Sequence, residues 1–335
     1  MGASGETIGI SMVPMHDTPE ISPDRKTFDR QVLAELPKVL IHDRLAGEPA
    51  QTPETLTAQV REQLTELAGD NVVHVELRIS PELHTAGGLT PQEVVDCAVA
   101  GLDVPRIDAR LILTARRGGP VDEIADLAVR NHGRQVAGFA VAGPDEESLA
   151  PYADAFRRLR EAYVPFTVDA GLSGGIDAVA EAVQLGATRI GHPVGLIDDF
   201  RIDTEGFEGV LPGRVSGWVR DRHLTLEFAP ALEVRFEAAE ELGDHPLTLL
   251  QQLGFTCTVN TGDRAVAGSL TSQFADLVDA FGYGLEEFFD LTVKALQGAF
   301  LSEVERQDLL ERVILPAYEA QDFEDRGEED APEED

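Results

Sequence analysis

Eight short β-branched runs, each followed by a longer amphipathic stretch, constrain this chain more than any other feature. The runs are Lys38–His42, Val72–Ile79, Arg110–Ala115, Val136–Val141, Val164–Asp169, Thr188–His192, His223–Phe228 and Thr256–Thr261. Several are continuously apolar, as strands covered on both faces of a parallel sheet are. The intervening stretches read as helices. Pro91–Gly101 opens after the N-cap Thr90 with proline at its first position, and Pro120–Arg130 places Ile124, Leu127 and Ala128 on one face. Glu147–Tyr163, Ile176–Leu185 and His245–Leu253 follow, the last two stopped by Gly186 and Gly254. Strand and helix alternating eight times predict a (β/α)8 TIM barrel. A doubly wound sheet fits the same alternation, but no Gly-x-Gly-x-x-Gly follows the first strand. Residues 270–318 read as helical throughout and carry core-facing stripes such as Phe274, Leu277, Val278 and Phe281, so extra C-terminal helices are expected against the barrel.

Composition narrows the partners. With 61 acidic against 27 basic residues, the 335-residue chain has a formal charge of -34 and a pI near 4.4. Such a surface repels phosphate backbones and anionic lipid, so neither nucleic acid nor membrane is expected as a partner. The two cysteines, Cys97 and Cys257, lie in apolar runs and imply no disulfide framework; with no leader-like N-terminus, a cytoplasmic location is expected. The expected domain spans 28–320, flanked by a disordered segment 1–27 and an acidic disordered tail 321–335. A protein partner and self-association are left open.

Chemistry in such a barrel sits where the strands end. The ends read His42-Asp43-Arg44-Leu45-Ala46-Gly47, Asp169-Ala170-Gly171-Leu172, Gly191-His192-Pro193 and Asn260-Thr261-Gly262-Asp263. With LPKVLIHDRLAG, VELRISPELHTAGGLTPQEVV, VAGFAVAGPDEE, RIGHP, HPLTLLQQLGF and LTVKALQGAF in this order, the chain resembles the adenosine deaminases from about Leu36 to Leu315. The resemblance implies a zinc-dependent hydrolase in which the metal activates water, a glutamic acid protonates the purine ring, and a histidine and an aspartate steer the attack.

The positions diverge from that scheme. His42 matches the first metal histidine, but the other three ligands fall on Arg44, Asp169 and Gly262. The proton donor falls on Leu172 and the sugar-holding aspartate on Ala46, whereas the steering pair matches His192 and Asp263. Gly143 matches a glycine that faces the substrate, and Glu227, where the family also has an acidic residue, either hydrogen-bonds a ligand or pairs with a neighbour. Only residues 48–70 separate the first strand motif from the second strand, so the family's lid is expected to be shortened. Leu172 cannot donate a proton, and a guanidinium repels a divalent cation. Arg44 is therefore expected to pair with Asp169 in the cation's place; the competing arrangement has Arg44 in solvent and Asp169 on water. His42 and His192 are either live donors or hydrogen-bonded strand-end histidines, and His84 and His245 read as structural. The expectation is an inactive relative that needs no cofactor and retains at most the binding of a small purine-like molecule. The alternative is a divergent adenosine or adenine deaminase, or another hydrolase of purine-like substrates, with an altered zinc site.

Overall fold

The computed structural model describes residues 30–133, 135–203 and 209–321. The expected disordered segments, 1–27 and the tail beyond Gln321, lie outside the described residues, as does His16.

Eight parallel strands form the barrel: β1 (Lys38–Arg44), β2 (Val72–Ile79), β3 (Asp108–Arg116), β4 (Val136–Ala142), β5 (Phe166–Asp169), β6 (Arg189–Gly191), β9 (Thr225–Phe228) and β10 (Thr256–Val259) pair in that order. The seam between β10 and β1 is closed by Gly262, whose N–H donates to the His42 carbonyl at 3.0 Å and whose own carbonyl accepts the Arg44 N–H at 3.0 Å. The two remaining strands, β7 (Phe200–Asp203) and β8 (Gly209–Pro212), form a separate antiparallel pair in the connection after β6 that the alternation did not announce.

The crossovers are α2 (Pro53–Gly69), α3 (Pro91–Gly101), α4 (Val121–Asn131), α5 (Ala153–Glu161), α6 (Gly175–Leu185) and α7 (Arg214–Asp221), preceded by α1 (Arg30–Glu35). Short helices α8 (Pro230–Arg235), α9 (Leu247–Gln252) and α10 (Arg264–Ala267) follow the last two barrel strands. The predicted helix over 147–163 is shorter than expected, because Pro151 sits in a 3-10 turn at Ala150–Tyr152 and α5 begins only at Ala153. The expected C-terminal helices are present as α11 (Leu270–Phe281), α12 (Leu285–Gly298) and α13 (Glu303–Leu309), and Gly282 ends α11 in the left-handed conformation at φ +66°.

Apolar side chains from both faces of the barrel strands meet the inner faces of the helices in one large core. The C-terminal segment also plugs the barrel floor. Arg189, 1% exposed, lies over the Phe300 ring at 3.6 Å, bonds the Gly298 carbonyl at 3.1 Å and pairs with Glu76 at 2.5 Å. Phe300 approaches so closely that a Cβ on Gly138 would stand 2.5 Å from its ring, which explains a glycine inside a buried strand.

The shortened connection after β1 is borne out: α2 begins at Pro53, capped by Thr52, and is the barrel's own crossover helix. Its Gln59 and Gln63 pin the loop. Gln63 accepts the Ala46 N–H at 2.7 Å and donates to Asp43 at 2.8 Å, while Gln59 donates to the Ala46 carbonyl at 2.7 Å.

Candidate active site at the barrel mouth

β1 carries His42 into the barrel and turns Asp43 outward, as alternation along a strand requires. Asp43 is fully buried between Thr261 at 2.7 Å and Gln63 at 2.8 Å, and burial raises its carboxyl to about 6. His42 is positioned by Asn260, whose Oδ1 accepts the backbone N–H groups of Ile41 and His42, both at 3.1 Å. Burial, with Arg78 nearby, lowers its imidazole to about 4, so the ring is neutral at physiological pH and keeps a lone pair.

Asp169 ends β5, and the adjoining strand leaves it room: a Cβ on Gly191 would lie 2.3 Å from its Oδ1. His192 follows at φ +55°, a left-handed conformation uncommon outside glycine. Its N–H donates to the Glu227 carbonyl at 3.1 Å and its Nδ1 meets Glu233 at 2.7 Å. The His42 and His192 rings meet edge to face with centroids 4.9 Å apart. One donor atom each from His42, Asp169 and His192 lies within 4.8 Å of the other two. Three converging N and O donors are the number of protein ligands that a catalytic divalent-cation site uses.

The expected Arg44–Asp169 pair does not form. Arg44, its side chain 57% exposed, reaches over the rim to Asp263 at 2.5 Å, and Asp169 is held at 2.8 Å by Arg78 from β2. The flexible Arg44 stem takes its charge to Asp263, and the guanidinium that touches a candidate donor is that of Arg78 instead. Asp263 is thus engaged by Arg44, and it also caps α10 by accepting the Ala265 N–H at 3.1 Å.

Arg78 is the site residue that the strand ends did not reveal. It is 3% exposed; one Nη bonds Asp169 and the other bonds Glu227 at 2.5 Å. The signal was present in VHVELRI, where His74, Glu76 and Arg78 alternate and so share one face of an otherwise apolar strand. Of the two readings of Glu227, the contacts give the pairing with neighbours. Glu227 is 0% exposed and occupied by Arg78, by Arg189 at 2.5 Å and by the Thr167 hydroxyl at 3.0 Å. Burial opposes its ionisation, but Arg189 and Arg78 outweigh that and hold the carboxyl well below its usual range. Burial likewise opposes ionisation of Asp169, and Arg78 reverses it.

The remaining expected residues line the rim. Gly143 follows β4, exposed, at φ +109°. Leu172 lies in a loop whose N–H groups, from Gly171 to Gly174, all point at the Asp145 carboxylate at 2.6–3.0 Å. Ala46 lines a surface groove with Gln59, Glu62, Gln63, Glu66 and Arg264. Gly262 sits at φ +63° in the barrel seam, where a Cβ would stand 2.9 Å from Leu232, 3.1 Å from Ala229 and 3.6 Å from the His192 ring. Gly262→Asp is therefore expected to cost about 1–3 kcal/mol of stability, as read from denaturant melts.

Glu76, Asp169 and Glu227 are met by Arg78 and Arg189, the buried Arg117 donates to the Asp169 carbonyl at 2.6 Å, and Glu233 meets His192 and His245. Burial opposes a charge on His192, but Glu233 outweighs it and raises the imidazole.

Comparison with known proteins places this geometry. The family model described as adenosine deaminase matches residues 12–316. A curated adenosine deaminase from Mycolicibacterium vanbaalenii is 36% identical over 282 residues, covering 80% of this chain and 77% of its own length. An amidohydrolase from Burkhoderia ambifaria, solved with bound Zn, superposes with a TM-score of 0.76 at 18% identity, covering 90% of this chain and 95% of that one. The N6-methyl-AMP deaminase from Arabidopsis thaliana superposes with a TM-score of 0.72 at 17% identity, over 84% of this chain and 96% of that one.

Two expectations are corrected by these findings. A non-enzyme was expected, yet the curated relative matched over four-fifths of the chain is an adenosine deaminase. No cofactor was expected, yet the relatives are deaminases and a neighbour of the same fold holds zinc. Counting lost ligands position by position overlooked that His192 stands within reach of His42 and Asp169. Among the described residues, no helix is long and apolar enough to cross a membrane.

Proposed function

The chain belongs to the adenosine deaminase family, and from this we propose that it is a hydrolase of a purine-like substrate, a divergent deaminase whose divalent-cation site is built from His42, Asp169 and His192. The convergence of those three donors is the observation that carries the reading. They fit a cation chemically. His42 is neutral, Asp169 has Oδ2 to offer because Arg78 occupies Oδ1, and His192 has Nε2 to offer because Glu233 occupies Nδ1. When bound, such a cation supplies Lewis acidity and lowers the pKa of a water molecule, which is the chemistry that hydrolytic deamination needs at neutral pH.

The chain's own residues supply orientation. Arg78 fixes the Asp169 carboxylate, Asn260 fixes the strand that carries His42, and Gly143 offers an uncluttered backbone at the rim for the flat face of a purine. The Arg44–Asp263 pair borders the entrance and leaves Asp263 to act on substrate through its hydrogen bonds with that guanidinium. Leu172 contributes an apolar wall where the family places its acid. The purine class comes from the relatives, which are named for adenosine and N6-methyl-AMP.

The test is an ultraviolet assay of the zinc-loaded chain on adenosine, adenine and adenosine monophosphate. Conversion above a boiled control on at least one of them, abolished by a chelator and recovered with zinc, is expected. No conversion of any purine by metal-loaded protein would defeat the proposal.

A further inference from the structure

We propose that Glu233, itself anchored by His245, is a positioning residue that locks His192 in the tautomer with the proton on Nδ1, so that the Nε2 lone pair faces His42 and Asp169. Glu233 projects from α8 and is 0% exposed. Its Oε1 lies 2.7 Å from His192 Nδ1 and accepts the Ala229 N–H at 2.9 Å. Its Oε2 meets His245 Nε2 at 2.7 Å. The tautomer of His245 follows from its other nitrogen. Nδ1 accepts the Leu247 N–H at 3.2 Å, so the proton of neutral His245 resides on Nε2 and points at Glu233.

Three nitrogens therefore converge on one carboxylate. Oε1 already accepts the Ala229 N–H and Oε2 faces the Nε2–H of His245, so both oxygens of the carboxylate act as acceptors. An acceptor-only partner at 2.7 Å obliges His192 Nδ1 to carry a hydrogen. Free imidazole prefers its proton on Nε2, so without this contact the nitrogen nearer the other donors would be the blocked one. A carboxylate behind a metal-ligating histidine orients the ring and raises its basicity. What the exposed lone pair serves rests on the proposed function; the tautomer itself does not.

The experiment uses the full-length chain, labelled with nitrogen-15 and stripped of metal, at alkaline pH where His192 is neutral. Long-range proton–nitrogen correlation spectra read the tautomer. The wild type is expected to show the Nδ1–H form and Glu233→Leu the Nε2–H form. Glu233→Gln should restore the wild-type form, because its amide oxygen still accepts. Zinc titration of the same samples should show affinity weakened about 10- to 100-fold in Glu233→Leu. An Nε2–H form in the wild type, or an unchanged tautomer in a folded Glu233→Leu variant, would overturn the inference. A wild type that holds the Nδ1–H tautomer but takes up no zinc would sink the functional reading and leave the positioning role standing.

Discussion

Replacing Arg78 with methionine is expected to lower the unfolding free energy by about 3–5 kcal/mol, the usual cost of leaving a buried charge without its partner. The guanidinium is 3% exposed and divides its two Nη groups between Asp169 and Glu227. Methionine fills similar volume, so the loss is electrostatic rather than a matter of packing. Glu227 keeps Arg189, but the Asp169 carboxylate loses the guanidinium that bonds it. Total stabilities are commonly about 5–15 kcal/mol, so the variant forfeits a large share. The pH dependence has a definite sign. Asp169 and Glu227 both have depressed carboxyls, so the pairs contribute stability above the unfolded values of 3.8 and 4.5 and lose it as pH falls below them. The difference between variant and wild type should therefore be largest near neutrality and shrink on acidification. Arg78→Lys should recover only part of it, since one ammonium cannot hold two carboxylates in a planar fork. Denaturant melts at several pH values check this; a neutral-pH loss under about 1 kcal/mol would contradict the buried network, because that is the range of an exposed ion pair.

His42→Gln should behave in the opposite way, with a large loss of activity and little loss of stability. His42 is buried and neutral, and its Nδ1 has no well-formed hydrogen bond, lying 3.3 Å from Glu227 without satisfying the geometry of one. Its removal therefore deprives the fold of little. A metal contributes several kcal/mol of transition-state stabilisation, and a site of three donors deprived of one retains little of it. A fall in kcat/KM of at least about a hundredfold, near 2.7 kcal/mol, is expected, with a stability change of about 1 kcal/mol. Steady-state kinetics beside a melt separates the two effects. Unchanged turnover by a metal-loaded variant would remove His42 from the site.

How much of this was legible in the chain follows from how far each signal reaches. Val72–Ile79 and Pro91–Gly101 were predicted with the bounds observed, because a continuous apolar run and a Thr-Pro start are local features. The β7–β8 pair was not, since four-residue strands in an exposed connection carry no core periodicity. At the mouth, His42, Asp169 and His192 were singled out and do converge, but Arg44 was given the wrong partner. Arg44 was placed where the ligand it replaces would point, whereas a long side chain on a rim reaches whichever carboxylate is closest. Arg78 could have been found from the His74-Glu76-Arg78 alternation. Glu233 could not: its partner His192 is 41 residues away, and only the fold brings α8 under the β6 end. The expectation of a non-enzyme without a cofactor was overturned by the relatives rather than by the geometry: a curated protein 36% identical is an adenosine deaminase, and a neighbour of the same fold holds zinc.

Metal content decides the central claim most directly. The full-length chain, purified without chelator, dialysed against zinc-containing buffer and then freed of loose ions, is predicted to hold about one divalent ion per chain by elemental analysis, a single site being what three convergent donors support. His42→Gln and Asp169→Asn should hold markedly less, while Arg44→Ala, which leaves all three donors in place, should hold as much as the wild type. A folded wild type with no ion above the level of those two variants would contradict the account.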